Sequence, residues 1–262
     1  MGATPLPDFR ETAYNRDLHV IHHLIAMAVR NAADVVYPRL CVVCETPAHQ
    51  GSSWLCAQCI ETLTHAARSR NACPRCSQNL SLRTCTCDIA WDYPFSRAFS
   101  LFDYDDSVKR IVSEFKYGGG KHLAAEMGRT FGGLLPAEIT AHTDAIVPVP
   151  LHSRRHRKRD YNQAEYLARG IAAAAGRQHL VRTDLLMRKR HTGTQTKLDK
   201  EHRRANLQGA FAVRAGATNA IQGMRIVLVD DVVTTGATTG QCAQALRSAG
   251  AAEVVVVSLA RD

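Results

Sequence analysis

Aromatic residues are scarce, at 6% of 262 residues. The chain therefore supplies little with which to stack a long run of nucleobases. Trp54, Trp91 and Tyr93 are the candidate platforms, and their position among or beside the cysteines predicts packing within that region instead. Long apolar runs are also missing. No stretch reaches the roughly 18 residues that a membrane span requires. Asp8, Arg10, Glu11, Arg16 and Asp17 interrupt the N-terminus, so no signal peptide is expected there and the protein is expected to be cytoplasmic. The segment from Leu18 to Tyr37 repeats Leu24, Ile25, Ala28 and Val35 at helical spacing, which predicts a helix docked on its neighbouring module.

Acids are in deficit, at 24 against 33 lysines and arginines, for a net charge of +9. That balance selects anionic partners, either a polyphosphate ligand or nucleic acid. Two segments hold much of the excess. One is Arg154-Arg155-His156-Arg157-Lys158-Arg159, and the other runs from Arg188-Lys189-Arg190 through Lys197, Lys200, Arg203 and Arg204.

Cysteine is nearly absent outside one short segment. Of nine cysteines only Cys242 lies beyond residues 41–87, and it reads as a small buried residue. The other eight form the pairs Cys41/Cys44, Cys56/Cys59, Cys73/Cys76 and Cys85/Cys87. A two-residue gap lets both thiolates of a pair reach one tetrahedral Zn²⁺. Eight thiolates suffice for two structural Zn²⁺ sites with no open position for a catalytic water. In a reducing compartment zinc is favoured over disulfides. Spacing leaves open which pairs share a metal. The last pair has one intervening residue, so one or two sites are expected, with His49 and His65 as alternative ligands.

From Arg97 onward apolar strands alternate with helical spacing. Strands are expected at residues 98–104, 145–149, 226–229 and 254–259. Helices are expected around Val108–Phe115, around Leu123–Leu134, and over 164–175 and 236–249. Strands separated by helices predict an α/β fold, a parallel sheet flanked by helices with ligands at the carboxyl ends of the strands.

The most informative run is Ile226-Val227-Leu228-Val229-Asp230-Asp231-Val232-Val233-Thr234-Thr235-Gly236-Ala237-Thr238-Thr239. It reads as a buried strand, two carboxylates at its end, a tight turn and a helix start. Hydroxyls and consecutive N–H groups at a helix N-terminus cradle an anion. Two acids beside them suit ribose hydroxyls or Mg²⁺. This run resembles the phosphoribosyl-pyrophosphate (PRPP) motif of type I phosphoribosyltransferases. The resemblance implies that Asp230 and Asp231 contact the ribose hydroxyls, and that Thr234, Thr235, Gly236, Ala237 and Thr238 wrap the 5-phosphate. Purine-salvage members commonly carry Asp where this chain has Thr234, which argues against purine salvage.

Further segments carry the resemblance to one family, that of competence protein F (ComF) and its GntX-like relatives. They are Tyr37-Pro38-Arg39-Leu40-Cys41, Lys116-Tyr117-Gly118, Val147-Pro148-Val149-Pro150-Leu151, Tyr161-Asn162-Gln163 and the Gln195 to Asn206 stretch. The last is polar and cationic, as a loop closing over an anionic ligand is. Asp160 departs from the pattern, which has Gly there. It stands among bases, where it weakens a pyrophosphate contact or pairs with Arg157 or Arg159.

The resemblance implies an N-terminal amphipathic segment (1–37), a double zinc ribbon (38–92) and a phosphoribosyltransferase-like domain (93–262). It implies Mg²⁺ with PRPP or a related sugar phosphate, with Lys116, Arg154, Arg159 and Arg203 on the pyrophosphate. It also implies a role in DNA uptake or use of external DNA, with single-stranded DNA and uptake or recombination proteins as partners. Two function classes follow: a PRPP-dependent glycosyltransferase whose acceptor base is not evident, and a binding protein that uses the fold without catalysis.

Overall fold

The structure, a computed structural model, describes residues 39–48, 53–85, 87, 94–117, 120–151, 160–189 and 208–262, with backbone only at Lys116 and Tyr117. The expected Leu18–Tyr37 helix lies outside these residues, as do His49, Trp91 and Tyr93. The chain divides into two compact units, Met1–Cys56 and Ala57–Asp262.

In the first unit a knuckle is closed by the Leu40–Pro47 bridge. The Cys41 N–H donates to Thr46 at 2.8 Å and the Glu45 N–H to Cys41 at 2.9 Å. The Arg39 guanidinium lies 4.5 Å from the Trp54 ring centre, so Trp54 packs within this module as its position predicts.

The second unit begins with α1 (Ala57–Ser69). A second knuckle follows, closed by the Ala72–Asn79 bridge. The bonds of the first recur there, from Cys73 N–H to Gln78 at 2.8 Å and from Ser77 N–H to Cys73 at 2.9 Å. The residue after each second cysteine is left-handed, Glu45 at φ 63° and Ser77 at φ 58°.

The remaining elements, in chain order, are β1 (Arg97–Asp103), α2 (Asp106–Tyr117), α3 (Lys121–Phe131), α4 (Ala137–Ala141), β2 (Ala145–Pro148), α5 (Gln163–Ala174), β3 (Leu186–Arg188), β4 (Phe211–Val213), α6 (Thr218–Ile221), β5 (Arg225–Val233), α7 (Ala237–Ser248) and β6 (Glu253–Arg261). β1, β6, β5 and β2 form a four-stranded sheet in that order, parallel throughout. From Arg97 onward every helix and strand expected from periodicity is present. Strand β5 is longer than expected, because Asp230, Val232 and Val233 stay paired with β6 beyond the apolar run.

One face of the sheet carries Ala98, Val147, Leu228 and Val256 in register. These pack into a core that also holds Cys76, Cys87, Phe95, the β3–β4 residues Leu186 and Phe211, and Cys242, Ala243 and Leu246 of α7. Cys242 is fully buried, as its sequence position predicts. The second cysteine cluster is therefore part of the core under this sheet. Among the helices, α5 crosses α3 closely: a Cβ on Gly170 would lie 2.8 Å from the Gly128 Cα.

The pairing of all three long strands passes over the row Leu101, Leu259 and Asp231. Side-chain alternation changes hand there. Ala98 faces the cysteine core, whereas Phe102, four residues on, packs edge-to-face with Phe131 of α3. An irregularity of the bulge kind next to a strand end re-aims the side chains that follow it.

Candidate functional site

Strand β2 leaves the sheet before β5 does. Its last register pair is Pro148 with Val229, and the Val149 N–H then donates to Val229 at 2.8 Å. From Asp230 onward no strand among the described residues pairs with the β2 side of β5, so both carboxylates stand at a step in the sheet. Ligands of parallel sheets occupy such crevices at strand carboxyl ends.

Each carboxylate accepts the N–H that follows it, Asp231 N–H to Asp230 at 2.9 Å and Val232 N–H to Asp231 at 2.8 Å. Burial, then the neighbouring Asp231 charge, pushes the Asp230 carboxyl well above the usual carboxylate range. Burial and the Asp231 charge likewise raise the Tyr104 phenol at the end of β1. Two carboxylates that repel one another in a partly desolvated step favour a cation or hydroxyl donors between them.

Beyond β5 the chain turns at Gly236, which opens α7 in the left-handed conformation at φ 75°. An L side chain rarely adopts that region, so the Thr-Thr-Gly order fits the turn. The Thr239 hydroxyl donates to Gly236 at 3.1 Å, and the Ala237 N–H reaches the Thr235 hydroxyl at 3.4 Å. Thr234 is exposed, Thr235 and Thr238 are half-buried, and Gly236 and Ala237 are buried. This is a helix N-terminus with hydroxyls and N–H groups beside two acids, a suitable arrangement for a phosphorylated sugar.

Asn162 caps α5 by accepting the Ala164 N–H at 3.2 Å, and its amide donates to Val149 at 2.9 Å. The Tyr161 hydroxyl donates to the Phe115 carbonyl, one residue before Lys116. The ends of α2 and β2 are thus gathered at the start of α5, the one carrying the Lys116 backbone and the other the Val-Pro-Val-Pro segment. Arg154, Arg159 and Arg203 lie outside the described residues. So do Arg157 and the stretch from Gln195 to Asn206. Asp160 has φ 59°, a left-handed position that suits the Gly of the family pattern.

Two residues brace this site: Arg261 was not singled out from sequence, and Asn162 was named only within the Tyr161-Asn162-Gln163 segment. Arg261, 8% exposed, donates to Val233 at 3.1 Å and also to Thr234, at the root of the Thr-Thr-Gly turn. A lone Arg after an apolar strand gives no sequence signal. Asn162 does give one, as a cap residue before a periodic apolar stretch.

The cysteines group as sequence neighbours. Cys41, Cys44, Cys56 and Cys59 form one set and Cys73, Cys76, Cys85 and Cys87 the other, with the ligand atoms of each set within 4.8 Å of one another. His65 belongs to neither set. Sγ–Sγ separations are 3.6 Å for Cys44–Cys56, 3.8 Å for Cys73–Cys87 and 3.3 Å for Cys76–Cys85. Tetrahedral Zn²⁺ at about 2.3 Å from sulfur implies edges of about 3.8 Å, so the donor sets fit that ion. The short Cys85-Thr-Cys87 pair serves as well as the longer ones. Burial raises the Cys76 thiol to about 11, and burial with the neighbouring thiols raises Cys87 further. Cys73 goes the other way: against burial, the N–H groups of Cys76 and Arg75 and the adjacent thiols bring it to about 7. The Cys73 thiolate is favoured while the Cys76 and Cys87 thiols are held neutral, as expected of ligands grouped for a cation.

Among the described residues no helix is long and apolar enough to cross a membrane. The double zinc ribbon domain matches residues 32–89 and the phosphoribosyl transferase domain residues 145–262. The DNA utilization protein YhgH of Salmonella typhimurium is 33% identical over 234 residues, covering 86% of this chain and 97% of that protein. Competence protein F of Haemophilus influenzae is 28% identical over 84% of this chain and 96% of its own. Among solved structures, the glutamine PRPP amidotransferase of B. subtilis aligns over 54% of this chain and 26% of its own, at 22% identity and a TM-score of 0.32. A double zinc ribbon precedes a phosphoribosyltransferase domain with its acidic strand end and left-handed Gly236 turn, and the chain belongs to the competence protein F (ComF) family.

Proposed function

We propose that the step at the end of β5 binds PRPP or a related sugar phosphate with Mg²⁺, and that the protein serves the use of external DNA. The observation that carries this reading is the acidic strand end running past β2 directly into the left-handed Gly236 turn and α7. Thr234 to Thr238 hold the 5-phosphate through hydroxyls and N–H groups. Asp230 and Asp231 face the ribose hydroxyls or Mg²⁺, which when bound neutralises pyrophosphate charge. Lys116, Arg154, Arg159 and Arg203 complete the pyrophosphate site. Such a pocket supports phosphoribosyl transfer by positioning and electrostatic preorganisation, to an acceptor that the motif residues do not name.

The DNA role is supported by the names of the relatives and by the net charge of +9. Single-stranded DNA and uptake or recombination proteins are the partners this reading assigns. The cytoplasm is the compartment, since it keeps eight zinc-binding thiols reduced.

Calorimetric titration of PRPP into zinc-loaded protein, with and without Mg²⁺, tests the pocket. Mg²⁺-dependent binding that disappears in Asp230→Ala/Asp231→Ala is the expected result. Failure of folded wild-type protein to bind would sink the reading and leave nucleic-acid binding without a sugar-phosphate site. In that case affinity for DNA falls steeply with salt and depends on Lys and Arg, not on Asp230.

A further inference from the structure

A bonded clamp and a shared row of the sheet link the second cysteine cluster to the phosphate loop within one unit. Ser77, directly after Cys76, gives its carbonyl to Arg70 at 2.7 Å. Arg70 in turn holds Asp103 at 2.8 and 3.1 Å and Ser100 at 2.5 Å, with its own side chain 6% exposed. The Asn79 amide donates to the other Asp103 oxygen at 2.7 Å. The second knuckle is thereby clamped to the carboxyl end of β1.

Asp103, Arg261 and Val233 share one row of the sheet. Side chains at the same register of parallel strands lie on the same face. Asp103 on that row turns to the knuckle, and Val233 packs in the core that holds Cys76 and Cys87. Arg261 therefore stands on the cysteine side of the sheet while its guanidinium holds the carbonyls of Val233 and Thr234. Burial works against its charge, and Cys76, Asp262 and Cys85 favour it.

We propose that metal loading of the Cys73–Cys76–Cys85–Cys87 cluster and anion binding at the phosphate loop form one coupled equilibrium, with Arg261 as the positioning residue between them. The inference rests on the sugar-phosphate reading of that loop. Four thiolates around one divalent ion leave a doubly negative centre, and Arg261 is its buried counter-charge. A guanidinium held in that row fixes the Val233 and Thr234 peptides, and with them the direction of the N–H groups that follow. An emptied cluster loses both the negative centre and the Arg70 clamp, and the loop root loses its anchor. Coupling of this kind is reciprocal, so an anion on the loop strengthens metal retention in this cluster. The first cluster shares no ligand with the second and serves as the comparison.

The test uses the full chain loaded with two equivalents of zinc. A zinc-selective chelator is added, and released thiols are alkylated with N-ethylmaleimide and quantified cluster by cluster by mass spectrometry. The comparison is made with and without PRPP and Mg²⁺. The expected result is about fivefold to tenfold slower alkylation of Cys73, Cys76, Cys85 and Cys87 with ligand, and no change at Cys41, Cys44, Cys56 and Cys59. Arg261→Met loses this selective protection while PRPP still binds more weakly, and Arg261→Lys restores part of it. The wild-type comparison stands even if a variant does not fold. Equal protection of both clusters, no protection despite calorimetric PRPP binding, or full protection retained in Arg261→Met would each overturn the coupling and leave the pocket intact. Absence of PRPP binding altogether overturns the reading of the loop, and the coupling with it.

Discussion

Asn162 donates its side-chain amide to the Val149 carbonyl at 2.9 Å while its oxygen caps α5 through the Ala164 N–H. One buried side chain thus fixes both the exit of β2 and the entry of the next helix. Asn162→Ala removes the cap and leaves a buried carbonyl unpartnered, a combined cost of about 2–3 kcal/mol. Asn162→Asp keeps the cap and loses the amide donor, and costs about 1 kcal/mol. Urea denaturation of the zinc-loaded protein measures both, and equal losses would refute a dual role.

Asp230→Asn is expected to stabilise the ligand-free protein and abolish Mg²⁺-dependent PRPP binding. Burial and the Asp231 charge raise the Asp230 carboxyl above its unfolded value. Such an acid binds more protons folded than unfolded. Its contribution is therefore favourable below the unfolded pKa and is lost as pH rises from there through the folded pKa. At pH 7 the variant should melt about 2–4 °C higher, with the gain shrinking near pH 4. A lower melting temperature at pH 7 would contradict the account.

Zinc loading of the second cluster should grow tighter with pH. Cys76, raised to about 11, and Cys87, raised further, are protonated in metal-free protein near neutrality. Binding must displace at least those two protons at pH 7.5. Calorimetry in buffers of different ionisation heat reads the number, and a value near zero would mean that other ligands hold the metal.

At Asp160, with φ 59°, Asp is tolerated in the left-handed region better than most residues. Asp160→Gly should be neutral or mildly stabilising, while Asp160→Val costs about 1–2 kcal/mol. A Val variant as stable as the parent would show that the turn relaxes freely.

Gly170→Ala should cost more than about 2 kcal/mol, since its new methyl meets backbone of α3 around Ala125 and Gly128 and not a movable side chain. The helices cannot separate without lifting α5 from β2 and β5. Thermal melts of the single variant decide it.

Much of this was legible in the chain itself. The four-residue run Ile226–Val229 could only be a strand covered on both faces, and the acids after it had to lie at a carboxyl end. That the strand continues past them was not legible, because adjacent acids read as its end until β6 is seen to pair with Asp230, Val232 and Val233. The β3–β4 pair escaped for another reason: three-residue strands separated by more than twenty residues leave no periodic trace. Cysteine spacing named the metal without naming the partners, since neighbouring and alternate pairings satisfy the same counts. The roles of Arg261 and Arg70 depend on which rows of the sheet align, and no local pattern encodes that.

The sheet also imposes a schedule on synthesis. β6, latest of the four strands in sequence, lies between β1 and β5, and Ser100 meets Ser258 across a separation of 158 residues. At typical elongation rates β1 waits about 8–30 s for its partner on the ribosome. Through that interval its pairing edge is open, so a nascent-chain chaperone or a slow stretch of codons before β1 would change yield more than any substitution within the finished site.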